Sequence, residues 1–167
     1  KYIINPYDEY ALEEAIQVKE KYGGQVTVLS VGPDRVENAL RTALAMGADQ
    51  GIHIKDLPPF SDEYVLSQVI YKVIAQKGFD LIFAGNFSVD NSSGQVAIRL
   101  AELLGIPHIG SVIKLDLDVE GNNVAAVRDV EGNEEYVECK LPVLITAQQG
   151  LNEPRYPSLP GIMKAKK

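Results

Sequence analysis

The residues best suited to chemistry lie in the run Val89-Asp-Asn-Ser-Ser-Gly-Gln95. Small polar side chains and a glycine lead there into apolar residues at helical spacing, so several backbone N–H groups converge on a helix N-terminus. That geometry suits an anion such as a phosphate. The same residue types also cap helices with no ligand at all, and the loop alone leaves both readings open. No Gly-Lys-Ser/Thr follows and the spacing differs from the dinucleotide fingerprint, which excludes the two standard phosphate loops. Other reactive side chains are scattered. His53 and His108 stand apart, without paired acids or a Ser or Cys nucleophile, so no hydrolase arrangement is present. His53 reads as structural or exposed. Cys139 beside Lys140 has the setting for a lowered thiol pKa, although a lone strand cysteine is more often inert.

The elements that must position the loop follow from periodicity. Leu81 to Ala84 is an apolar run too short for a helix and closed by Gly85, the pattern of a buried parallel strand. Val96, Leu100, Leu103 and Leu104 recur at helical spacing until Gly105 and Pro107, predicting a helix over roughly 93–104. Upstream, Asn5-Pro6 marks a helix start, because Asn caps and Pro is tolerated at the first helical position. That helix should reach Tyr22 and end at Gly23-Gly24, burying Ala11, Leu12, Ala15, Ile16 and Val18. Val26 to Val31 reads as a strand, Gly32-Pro33 as the turn into a helix ending at Met46-Gly47, and Gly51 to Ile54 as a short strand. A Pro58-Pro59 turn then precedes a helix over about 61–76, with Val65, Val69, Val73 and Ile74 on one side. Alternating strands and helices imply a parallel sheet with helices on both faces. Ligands of such sheets sit beyond the carboxyl ends of the strands. The loops after Val31 and Gly85 both lie there, both contain glycine and both lead into helices, which makes an adenine nucleotide the natural expectation. Asn5 reaches the same crevice if a strand before it lies beside these two, and otherwise serves as a simple cap.

Beyond Pro107 the period changes to two. Ser111 to Val119, Val124 to Val130, and Tyr136 with Val137 alternate around Gly/Asn turns, predicting half-exposed antiparallel hairpins whose acids are solvated. Leu141 to Thr146 returns as a buried strand.

Composition bounds the partners. The sequence has 167 residues, 46% of them hydrophobic, enough for one domain with a good core. A net charge of −7 argues against broad nucleic-acid or anionic-membrane binding. Basic residues gather only after Glu153, as Arg155, Lys164, Lys166 and Lys167. The single cysteine rules out a disulfide or Cys-rich metal site within this sequence and is consistent with a reducing compartment. No apolar run reaches the length that spans a membrane. The sequence opens on Lys1 rather than Met and stops in a lysine cluster, which reads as missing flanks at both ends.

The tail carries a second signal. Pro154, Pro157, Pro160 and Gly161 hold Leu159, Ile162 and Met163 outside any strand, next to basic residues. An apolar side chain on a proline-stiffened loop suits partner binding, because docking orders little that was free. The alternative is a strap packed on its own domain.

Taken together, Ile4 to Ala15, Arg41 to Asp49, the Asp90 to Gln95 loop, Val127 to Thr146 and above all Leu151-Asn-Glu-Pro-Arg-Tyr-Pro-Ser-Leu-Pro-Gly-Ile-Met-Lys-Ala-Lys resemble the β subunits of electron transfer flavoproteins. The resemblance spans nearly the whole sequence and is close to the form of Bacillus-like bacteria. It implies a Rossmann-like parallel sheet with helices on both faces, an adenine-nucleotide-binding fold of the HUP type, with antiparallel hairpins and an extended loop added. Residues 1–147 would form the nucleotide-binding domain, with the hairpins at 111–138, and 148–167 the partner-recognition loop and the start of a C-terminal arm.

The resemblance also implies a heterodimer with an α subunit, one FAD held mainly by that subunit, and a structural AMP in this one. Such a carrier takes electrons from acyl-CoA and related dehydrogenases to a quinone oxidoreductase, as in fatty-acid β-oxidation. It is an electron-carrier subunit rather than an enzyme, in the bacterial cytoplasm or, in a eukaryote, the mitochondrial matrix. AMP contacts would fall on Asn5, Val31, Asp90, Gly94, Gln95 and Val96. The phosphate should take the N–H groups of Gly94, Gln95 and Val96, whereas a charged Asp90 would repel it and better suits a ribose hydroxyl or a backbone amide. Leu159 matches the family's anchor leucine, supported by Tyr156, Pro160, Ile162 and Met163. A single anchor with a polar rim fits a transient electron-transfer complex.

Departures from the family pattern matter. Gln95-Val-Ala-Ile98 replaces a common Gln-Val-Gly-Pro. Asp90-Asn-Ser-Ser-Gly-Gln95 also differs from the Asp-Gly-Asp-Thr-Ala-Gln of the bifurcating branch, whose β subunit holds a second FAD and binds NADH; this favours AMP. The family's first strand, its flavin-approaching loop and its C-terminal arm have no counterpart in these residues. A free-standing nucleotide sensor resembling a universal stress protein is a third reading, but it lacks that family's Gly-rich pattern and leaves Leu159 unexplained.

Overall fold

The computed structural model describes residues 3–57, 61–90 and 92–165. The Pro58-Pro59 turn, Asn91 of the polar loop, and Lys166 and Lys167 lie outside those residues. Helix α1 spans Pro6–Tyr22, as the Asn5-Pro6 and Gly23-Gly24 signals predict. Asp8 and Glu9 in its first turn and Lys19 and Lys21 in its last complement the helix dipole. Strand β1 (Thr27–Val31) is followed by a 3-10 turn at Asp34–Val36, helix α2 (Glu37–Met46) and strand β2 (Gln50–Ile54). Helix α3 (Glu63–Ile74) starts on Asp62, whose carboxylate accepts the Val65 N–H at 2.9 Å. Strand β3 (Leu81–Gly85) and helix α4 (Gln95–Leu104) bracket the polar loop. Then come β4 (His108–Asp118), β5 (Asn123–Val130), β6 (Asn133–Lys140), β7 (Val143–Ala147) and helix α5 (Leu159–Lys164).

The parallel pairing is present, but as two separate ladders. Strands β1 and β2 pair in parallel by themselves. The second sheet has the order β3-β7-β4-β5-β6, parallel across β3, β7 and β4 and antiparallel across the hairpins. Leu29 of β1 meets the second sheet's territory through side chains, in a cluster with Ile82, Ala84, Leu144 and residues of α3 and α4.

Burial explains why β7 sits in the middle of the parallel part. Its five residues are all buried, with branched side chains alternating between the two faces. Val143 and Ile145 turn to the face packed by Val18 of α1, opposite Leu81 and Phe83 in register. Leu144 turns to the face of α3 and α4. Helices α1 and α2 share a smaller cluster in which Leu12 and Ile16 meet Ala43, Met46 and Val26. Helices therefore cover both faces, as the alternation predicts.

Two expected core positions differ in detail. Ala15 and Val18 are only half-buried, whereas Glu13 on the same helix is 3% exposed. The tail is also more ordered than its proline content implies. Ser158 accepts the Gly161 N–H at 3.1 Å, Pro160 falls in the first turn, and residues 159–164 close into α5. Helix α5 seats on the C-terminal end of α2, where Gly161 lies so close to the Ala45 carbonyl that a Cβ would collide with it.

Candidate functional site

Two sites are assembled, one at each end of α1. At its start, Asn5 occupies the N-cap position but its side chain makes no capping bond to the helix backbone. Its amide instead crosses to the loop after β3, donating to the Phe87 carbonyl at 3.0 Å and accepting from the Val89 N–H at 3.1 Å. Asp8 accepts the Gly85 N–H at 2.7 Å, and Tyr7 packs its ring 4.2 Å from that of Phe87. A primary amide suits this position because it offers a donor and an acceptor to one stretch of backbone. From the other side, Asn86 Oδ1 accepts from the hydroxyls of Ser111 and Thr146, both at 3.2 Å, and the Asn86 N–H donates to the Ala147 carbonyl at 3.0 Å. The loop is thus held from three elements.

The residue at the N-cap of α4 has no side chain with which to cap it. That residue is Gly94, directly after the polar run. Gly94 lies tight against the loop, where a Cβ would come 3.1 Å from the Asn86 carbonyl oxygen. The Ser88 N–H donates to the Ser93 carbonyl at 2.8 Å and folds the loop back on itself. The Gln95 N–H donates to a carboxylate oxygen of Glu63 at 2.9 Å. An anionic group thus already sits at the helix N-terminus, where aligned N–H groups favour negative charge. Asn5, Gly94, Gln95 and Val96 fall within this cluster or the first turn beside it. Asp90 is exposed at the loop's rim. Val31 ends β1 opposite Ile54, in the other ladder.

At the far end of α1 the tail is fastened by charge. Arg155 donates through Nε and Nη2 to the two Glu13 oxygens, each at 2.9 Å, and its backbone N–H donates to Glu13 at 3.0 Å. Nη1 and Nη2 reach Glu20 at 2.6 and 3.0 Å. Asn152 donates to the Tyr10 carbonyl at 3.0 Å and to Glu14 at 2.9 Å. Beyond this clamp the surface is apolar: Tyr156 is 94% exposed, Leu159 78% and Met163 71%, with Pro160 and Ile162 beside them. All five expected partner-contacting residues therefore lie on the surface of one short segment.

The sequence reading missed Glu13, Glu20 and Glu63. The first two stand seven positions apart on α1, hence on one helix face, and that spacing with a lone arginine in the tail was the available signal. Burial works to raise the Glu13 pKa, but hydrogen bonds from Arg155 and Gln17 outweigh it and hold the carboxyl below its usual 4.5. Glu20 is likewise lowered, first by its hydrogen bonds from Arg155. A lowered folded-state value stabilises above the unfolded pKa and is lost as pH falls through the folded one. The clamp should therefore stay closed above pH 4.5 and release only on further acidification, read as amide protection of residues 152–158. Release complete by pH 5 would contradict this assignment.

The remaining candidates are structural. His53 Nε2 lies 2.8 Å from the Gly32 carbonyl. His108 is half-buried, with its pKa lowered by burial and by Arg128. The Cys139 thiol is pushed up by burial against the core face of the hairpins, so the lowered pKa that Lys140 suggested is not found. Among the described residues no group of His, Cys, Asp or Glu is arranged to hold a metal, and no helix is long and apolar enough to cross a membrane.

The chain is thus a Rossmann-like α/β fold with a polar loop gathered at a helix N-terminus and an exposed apolar segment in its tail. The electron transfer flavoprotein domain model matches residues 1–167, and the chain belongs to the electron transfer flavoprotein family. Within it the chain is of the β-subunit type. It is 58% identical over 169 residues to the electron transfer flavoprotein subunit beta of Bacillus subtilis, covering 100% of this chain and 65% of that protein. The subunit of the same name from Thermoanaerobacterium thermosaccharolyticum is 44% identical over 164 residues, covering 98% and 62%. That of Mus musculus is 38% identical over 172 residues, covering 100% and 66%. The chain thus spans just under two thirds of the length of these relatives.

Proposed function

We propose that this chain is the adenylate-binding and dehydrogenase-docking subunit of a heterodimeric electron carrier. In this reading an α subunit holds most of the FAD, this subunit helps enclose it, and AMP fills the crevice beside Asn5 and the Gly94 to Val96 turn. Electrons enter from acyl-CoA and related dehydrogenases and leave to a quinone oxidoreductase. The observation that carries the reading is the exposed apolar surface of Tyr156, Leu159 and Met163 clustered on one fastened segment, since a cluster of exposed large apolar side chains rimmed by polar residues marks a partner site. The fit of the nucleotide rests on the chain's own groups. The α4 N-terminus already takes a carboxylate at Gln95, so a phosphate would displace Glu63 and accept from the same N–H. The Asn5 amide fixes the backbone of the same loop at Phe87 and Val89. FAD, when bound, supplies the redox chemistry; the residues described here bind, orient and dock.

Denaturing the full-length heterodimer and quantifying what it releases tests this directly. One AMP and one FAD per dimer are expected. Two FAD and no AMP would overturn the AMP assignment and place the chain with the bifurcating carriers, whose β subunit holds a second flavin and binds NADH.

A further inference from the structure

The docking surface stands on a mount with two fixed points. Four side-chain hydrogen bonds spread the Arg155 guanidinium between Glu13 and Glu20, and its own backbone N–H adds a further bond to Glu13. Only Tyr156, Pro157 and Ser158 separate Arg155 from Leu159; Pro157 has a fixed φ, and Ser158 caps α5. On the other side of Leu159, Gly161 abuts the Ala45 carbonyl of α2. Leu159 is therefore 78% exposed while the backbone on both sides of it is held.

We propose that Arg155 is a positioning residue for dehydrogenase docking, fixing the direction in which Leu159 projects. This deepens the docking role proposed above and rests on it. The physical basis is pre-organisation: an anchor held in its bound direction loses little freedom on docking, whereas a loose one must first be ordered. Arginine is required rather than merely a cation, because a planar fork can grip two carboxylates at once and an ammonium cannot. Glu13, 3% exposed, supplies the rigid half of the grip, and Glu20 at the surface supplies the outer half.

The test uses the full-length heterodimer as electron acceptor for a purified acyl-CoA dehydrogenase and its substrate, with KM and kcat for the flavoprotein measured separately. Arg155→Gln should raise KM about tenfold, leave kcat and the FAD and AMP content within about twofold, and Arg155→Lys should fall between it and the parent. Because Arg155 acts through Leu159, adding Arg155→Gln to Leu159→Ala should worsen KM by less than about twofold over Leu159→Ala alone. An unchanged KM in Arg155→Gln, or effects that multiply in the double variant, would overturn the positioning role. If Arg155→Gln fails to assemble, Glu20→Gln at the exposed half of the clamp takes its place, with a KM rise of about two- to threefold expected and an unchanged KM counting against the proposal. The two readings separate on the Leu159→Ala arm. No effect there removes the docking surface itself, whereas an effect there with none at Arg155 removes only this inference.

Discussion

Replacing Leu159 with alanine should lower kcat/KM for electron acceptance from a dehydrogenase about thirtyfold, near 2 kcal/mol, with the flavin and AMP content unchanged. The size follows from what the side chain loses. A leucine 78% exposed in the free chain gains most of its apolar burial only on docking. Burying such a side chain is worth about 1.5–3 kcal/mol. Its removal costs the fold little, because α5 is held by the Ser158 cap, by Gly161 against α2 and by the clamp upstream rather than by Leu159. Unchanged acceptance kinetics in a properly assembled heterodimer would end the anchor assignment. Met163 and Tyr156, also exposed but on either side of the anchor, should each contribute less, as peripheral contacts around an anchor do.

Neutralising Glu63 should act in the opposite direction, by strengthening a ligand. The Glu63→Gln variant is expected to bind AMP about tenfold more tightly after the nucleotide has been removed and re-added, measured by calorimetry on the heterodimer. A carboxylate within hydrogen-bonding distance of the Gln95 N–H repels a phosphate that seeks the same donor, and the about 1.4 kcal/mol of a tenfold change lies between the roughly 1 kcal/mol of two unit charges roughly 4 Å apart in water and the roughly 4 kcal/mol at a protein surface. Glutamine keeps an oxygen that can accept the Gln95 N–H, so the start of α3 and the first turn of α4 need not change. An AMP affinity equal to that of the parent would mean that the phosphate does not sit at the α4 N-terminus, and the roles of Gly94, Gln95 and Val96 would go with it.

What could be read from the residues and what could not divides along a physical line. Helix α1, strand β3 and the hairpins carry their signals locally, in Asn5-Pro6, in Leu81 to Gly85, and in alternation around Gly121 and Gly132. These depend on the backbone's immediate preferences and were legible to within a few residues. The insertion of β7 between β3 and β4 was not, because pairing order is set by which apolar faces meet, and Leu141 to Thr146 would look the same at an edge. Asn5 shows the same limit at a single residue. Its type and place match a helix cap, yet its amide bonds to Phe87, 82 positions away. Glu13 lies beside Leu12 and ahead of Ile16 and reads as solvated until Arg155 is seen to cover it. In the tail the local signal existed but competed: Ser158 and Pro160 mark a helix start, while the density of prolines favours an extended loop, and the cap prevailed over residues 159–164. The polar loop itself was legible as a place, and its fastening was not.

Helix α1 serves as a measured spacer. Its first turns hold the loop after β3 through Asn5 and Asp8, and its later turns hold the tail through Tyr10, Glu13, Glu14 and Glu20. Each residue of an α-helix advances about 1.5 Å and turns about 100°. Adding or deleting one residue between Asp8 and Glu13 would therefore swing the carboxylates away from Arg155 even if every side chain were kept. In a family of such chains, length should vary freely in the hairpin turns at Glu120-Gly121 and Glu131-Gly132, and not at all within this stretch of helix.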